Sequence, residues 1–119
     1  MAERRQERVA HLLQAKLGQL LLREVRDPRL REVTVTAVRI TPDLRSARVY
    51  VRTLGDPHAA DATLRALAKA TPFLRGAVAR ALGLRVVPEL RFEYDTVPDQ
   101  ARRVERLLDD EAAADEETE

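Results

Sequence analysis

A chain of 119 residues with no cysteine is one domain's worth of sequence, and it excludes disulfides, thiol nucleophiles and zinc–thiolate sites. No apolar run approaches the roughly 18 residues of a membrane span. The start, MAERRQERVAHLL, lacks a signal peptide's apolar segment and small-residue cleavage site, so the expected compartment is the cytoplasm. The net charge of +1 hides an asymmetry. All 21 Lys and Arg lie at or before Arg106, against 13 acidic residues in 1–108, leaving +8 there and −7 on residues 109–119, DDEAAADEETE.

From Arg4 to Val25 the pattern is helical, with Val9, Leu12, Leu13, Leu17, Leu20 and Leu21 on one stripe. DPRL (27–30) stops it, because Pro28 disfavours helical geometry at Asp27. Two strands follow, EVTVTAVRI (32–40) and SARVYVRTL (46–54), joined by the turn TPDLR, which implies an antiparallel hairpin. In the second strand Ala47, Val49 and Val51 alternate with Arg48, Tyr50 and Arg52, giving one apolar and one polar face. After the loop GDPH, helical periodicity runs from Ala59 to Leu82 and ends at Gly83. RVVPELRFEYD (85–95) is the clearest strand, and Pro88 within it marks an edge or a strand beginning. Phe92 and Tyr94 fall on its apolar face and are assigned to the core. Residues 99–114 are expected to form a short helical extension running into the acidic tail. Three strands with one apolar face, and three helices to cover it, make a two-layer α+β domain.

Pro72 falls inside the second helical stretch, although Leu64, Leu67, Ala68, Thr71, Leu74, Val78 and Leu82 keep their spacing through it. Thr71 suits an N-cap and Pro72 a first helical position. The expected arrangement is therefore two helices meeting at a kink. The N-terminus of the second, beside Lys69, Arg75 and Arg80, would then suit a phosphate. In the alternative reading the kink only wraps a helix around a small core.

Catalytic readings fail on spacing. His11 and His58 have no metal-ligand pattern around them. Asp27 and Asp43 adjoin prolines in turns, where carboxylates accept backbone hydrogen bonds. Glu89 and Glu93 share a strand face with Arg91 and read as cross-strand ion partners. No phosphate-cradling Gly-rich loop or Gly-x-Ser-x-Gly motif occurs. Neither an enzyme nor a cofactor is expected.

DPRL (27–30), TPDLRSARVYV (41–51) and LRVVPELRFEYD (84–95), in this order and spacing, resemble the signature segments of the ribosome-binding factor A family. The resemblance runs from about Arg8 to Asp95. It implies a KH-like fold of type II topology (α-β-β-α-kink-α-β), a three-stranded mixed sheet covered on one face by helices. The KH-like RNA-binding domain would occupy residues 1–98, and the extension and tail 99–119. In place of the KH Gly-x-x-Gly loop, the family has an Ala-x-Gly kink. The matching positions here are Ala70, Thr71 and Pro72, so proline stands where the family has glycine. The resemblance further implies a non-enzymatic assembly factor that binds the free, immature small (30S) subunit and its 16S rRNA to promote late maturation and rRNA processing. A link to growth in the cold, and release promoted by a ribosome-assembly GTPase, are implied with it. The alternatives are a generic KH-like nucleic-acid binder without ribosomal selectivity, and a protein-interaction module using the open sheet face.

The candidate RNA contacts are Lys69, Ala70, Thr71, Pro72, Arg75 and Arg80 at the kink, Arg4, Arg5 and Arg8 on the first helix, and Arg45, Arg48 and Arg52 on the hairpin. Tyr50, among arginines, suits either base stacking or cover for the open sheet face. About five phosphate contacts would make log K fall by roughly 3.5 per decade of salt. The acidic tail either solubilises the arginine-rich body or competes with RNA for it.

Overall fold

The computed structural model describes residues 2–53 and 57–96, and within them the order is α1 (Ala2–Arg23), β1 (Val33–Ile40), β2 (Ser46–Thr53), α2 (Ala60–Leu82) and β3 (Glu89–Tyr94). Short 3-10 turns at Pro28–Glu32 and Pro57–Ala59 join α1 to β1 and lead into α2. The sheet order is β1-β2-β3, with β1 and β2 antiparallel and β2 and β3 parallel. A mixed three-stranded sheet with helices on one face makes an α+β domain. The expected extension over residues 99–114 and the domain boundary at 98 lie outside the described residues.

β2 is the central strand, and Ala47, Val49 and Val51 on its inward face are fully buried. β1 departs from simple alternation. Its register with β2 shifts between Val35 and Ala37, so Thr36 is the extra residue of a β-bulge. Val33 and Val35 point inward before the bulge; Ile40, with Val38 partly buried, points inward after it. Without the bulge, Arg39 would face the core. Along this edge strand, Gln6 Nε2 donates to the Ile40 carbonyl, and Gln14 Nε2 to that of Val35 at 3.2 Å, fastening α1 to β1.

α2 corrects the two-helix expectation. It is one 23-residue helix with Pro72 inside it. Thr71 is no N-cap: its Oγ1 donates backwards to the Leu67 carbonyl at 2.8 Å, the bond of a helix-interior threonine. The packing explains the continuity. Leu67, Leu74 and Val78 are fully buried on both sides of the proline, and each contributes roughly 1.5–3 kcal/mol. Together they outweigh the ~3 kcal/mol proline penalty, whereas a change of helical phase at Pro72 would lift one group off the sheet. Pro72 and Ala68 are both exposed, so water can reach the Ala68 carbonyl that proline cannot serve.

Smaller corrections concern phase and length. Leu12 is exposed rather than inward, and Ala68 likewise faces solvent. The last strand is Glu89–Tyr94 and not 85–95, with Val86 exposed and Pro88 fully buried just before it. Phe92 packs against the core, whereas Tyr94 is half-buried outside the core cluster. Gly83 ends α2 with φ of 64°, its N–H donating to the Ala79 carbonyl at 3.0 Å, a left-handed turn that glycine adopts without strain.

Candidate nucleic-acid interface

The continuous helix removes the free N-terminus expected at Pro72, and with it that particular phosphate site. What remains is a helix surface. Residues 65, 69, 72, 73, 76 and 80 recur at three- and four-residue intervals and share one side of α2. On that outward side Arg65, Lys69, Pro72, Phe73 and Arg80 are exposed, and Gly76 is half-buried among them. The opposite side carries Thr63, Ala66, Leu67, Leu74, Ala77 and Val78 into the core. Lys69 and Arg80 stand about 16 Å apart along the axis. The lysine lies near the α1–β1 connection, close enough to act on the Asp27 carboxylate.

Arg75 separates from this group. Its Nε donates to the Pro88 carbonyl at 3.1 Å and its Nη2 to that of Val87 at 3.0 Å. One guanidinium thus holds the segment entering β3, whose backbone carbonyls have no ladder partners there. Ala70 and Thr71 are half-buried and turn toward the layer beneath rather than the outward stripe.

The other predicted residues fall in two further places. Arg4, Arg5 and Arg8 are exposed on the first turns of α1. Arg5 borders a cleft of about 420 Å³ that also takes in Val9, Leu44, Leu84, Arg85 and Pro88. Arg45 follows in the hairpin turn, and its carbonyl accepts from the Glu89 N–H at 2.8 Å. On the polar sheet face, Arg48 lies 3.3 Å from Glu93, and Arg52 Nε donates to the Asp95 carbonyl at 3.3 Å. Glu93 therefore offsets part of that face's positive charge, and Arg52 is held by a main-chain carbonyl. Asp95 is itself buried, and its Oδ2 accepts from Thr36 Oγ1 at 2.5 Å. This bond ties the end of β3 to the bulge of β1.

The two turn aspartates behave as their proline neighbours suggest. Asp27 accepts from the Arg29 side chain and, at 3.0 Å, from its N–H; the guanidinium first and the backbone N–H second hold its carboxyl below the usual value of 3.8. Thr41 Oγ1 donates to Asp43 at 2.6 Å and the Arg45 N–H at 3.1 Å, in that order of effect lowering its carboxyl too. Among the described residues no group of three or more His, Cys, Asp or Glu could hold a metal ion.

Sequence reasoning missed Arg65, Phe73 and Arg85. Phe73 carried a usable signal, since it lies out of phase with the Leu67–Leu74–Val78 stripe.

The model of the family described as ribosome-binding factor A matches residues 5–108. A ribosome-binding factor A from Saccharopolyspora erythraea is 45% identical over 98% of this chain and 68% of its own length. That from Chromohalobacter salexigens is 44% identical over 95% of this chain and 87% of its own. The fold is similar to the crystal structure of ribosome-binding factor A from Thermus thermophilus, with a TM-score of 0.66 and 31% identity, covering 75% of this chain and 94% of that one. It is also similar to a homology model of the T. thermophilus protein fitted into a cryo-EM map of its complex with the 30S subunit (TM-score 0.59, 36% identity, 71% and 92% covered).

Proposed function

We propose a function from one premise: the chain belongs to the ribosome-binding factor A family, a family of non-enzymatic proteins with a role in ribosome assembly. In this reading the protein binds the free, immature 30S subunit through its 16S rRNA and promotes late maturation and rRNA processing in the cytoplasm. The observation that carries it is the family match over 104 consecutive residues, 5–108. The fitting of a similar protein into the map of a 30S complex supports the choice of particle.

The domain is then a KH-like module of type II topology, supported by the α-β-β-α-β order and the parallel β2–β3 pair. Its RNA-binding surface is assigned to the outward side of α2, where Arg65, Lys69 and Arg80 stand exposed. Arg4, Arg5 and Arg8 extend the surface, because α1 and α2 pack on the same face of the sheet and present their outer sides together. Arg75 acts from beneath, by fixing the entry to β3. A ribosome-assembly GTPase promoting release, and a contribution to growth in the cold, belong to the same reading.

Salt titration of binding to 16S rRNA tests the electrostatic part. About five neutralised phosphates give a slope of log K against log salt near −3.5. Changing Lys69 and Arg80 to glutamine is expected to make that slope shallower by about 1.4. A flat salt dependence in the unaltered protein would favour docking on a protein component instead.

A further inference from the structure

We infer that Phe73 is a stacking platform for an unpaired nucleobase, with the phosphates on either side of that base held by Lys69 and Arg80. This rests on the reading of α2 as the RNA-binding surface and adds to it a contact with a base rather than with the backbone.

Three observations converge on Phe73. Its side chain is 45% exposed, on a helix whose opposite side supplies the core, and Phe73 belongs neither to the core cluster nor to the partly buried residues packed against it. Its neighbours on the same side are cationic. Lys69 is one turn before it, and Arg80 two turns after it, so the ring sits between two positive charges. Between Phe73 and Arg80 stands Gly76, which has no side chain to raise a wall. A Cβ placed there would lie 3.4 Å from Arg80 Nη1, so the guanidinium lies back over the glycine. The result is a low step on the helix surface, where an exposed phenyl ring is followed by a guanidinium lying over the glycine.

The chemistry of that step fits single-stranded RNA. An unpaired base presents a π-face to aromatic rings and guanidinium planes, and its phosphates present charge to flanking cations. An apolar peptide would meet the same phenyl ring but gain nothing from the cations. A polyanion without bases would meet the cations but not the ring. Such stacking is tolerant of sequence, so it would strengthen attachment to an unpaired segment without reading which base it carries.

The chain contains no tryptophan, so Phe73→Trp places a single fluorescent reporter at the platform. A mixed-sequence RNA octanucleotide is expected to quench it on binding, whereas inorganic polyphosphate is expected to bind without quenching. Phe73→Ala should weaken octanucleotide binding by roughly 5- to 150-fold and leave polyphosphate binding unchanged. Phe73→Leu, which keeps apolar bulk but has no π-face, should lose nearly as much as alanine. Circular dichroism and melting of each variant verify folding, which an exposed position should preserve. Octanucleotide binding without quenching, or full affinity in Phe73→Leu, would overturn stacking; the leucine result would point to an apolar protein contact. Failure of the unaltered protein to bind the octanucleotide at all would overturn the RNA-binding reading of α2 itself, a result distinguishable from both.

Discussion

Pro72 and Arg75 each have a role opposite to the one their residue type suggests. A proline in a helical run reads as a break, yet α2 passes through it because the leucines on both sides share one floor. Replacing it with alanine restores the missing N–H to an existing helix, so Pro72→Ala should raise stability by about 3 kcal/mol in urea denaturation. No change would mean that Pro72 occupies a helix start after all. Arg75 reads as a phosphate contact, yet its guanidinium bonds the Pro88 and Val87 carbonyls. Hydrogen bonds from charged groups contribute about 1.5–3 kcal/mol. Arg75→Ala should therefore cost on the order of 2 kcal/mol, while Arg80→Ala, at an exposed position, stays within about 0.5 kcal/mol. The same denaturation curves check both. Asp43 gives the pH-dependent case. Its carboxyl is lowered below 3.8 in the folded chain, so its contribution is present above the unfolded value and fades as pH falls through the folded one. The stability difference between the unaltered protein and Asp43→Asn should narrow as pH drops below about 4, and a difference constant down to pH 2 would contradict this.

At the scale of elements, the helices and strands were legible because each buries one face, and burying one face leaves a period in the sequence. Ala47, Val49 and Val51 name β2's inward side by alternation alone, and Gly83 names the end of α2. What it hid depends on contacts distant in the chain. The bulge at Thr36 is invisible in VTVTAVRI until Ile40 has to meet the same core as Val33. The value of Asp95 is likewise invisible until its carboxylate lies 2.5 Å from Thr36 Oγ1. The sequence places Asp95 on the polar face, whereas the fold buries it. Asp95→Ala leaves the threonine hydroxyl without this acceptor and should cost about 1–3 kcal/mol, with Thr36→Val losing at least as much because it leaves the buried carboxylate without this donor. A denaturation midpoint unchanged in Asp95→Ala would show that the bond does not hold β3 to the bulge. The candidate site was half legible for the same reason: charge is written in the sequence, but which charges look outward is decided by helical phase.

The whole molecule joins a sheet with one protected face to a pair of helices whose outer sides carry arginine and lysine. The basic excess of residues 1–108 sets a general attraction for polyanions, and it acts on any RNA. Under the proposed function, selectivity for the 30S subunit comes from shape and from the placement of a few groups, and the proposal assigns those to the outward side of α2. The measurement that tests this most directly is co-sedimentation with purified 30S subunits, 50S subunits and assembled 70S ribosomes, comparing the unaltered protein with a Lys69→Glu/Arg80→Glu variant. Binding to free 30S subunits alone, lost in the variant while its melting temperature is kept, is the expected result. Equal binding to all three particles, or 30S binding that survives both charge reversals, would contradict it.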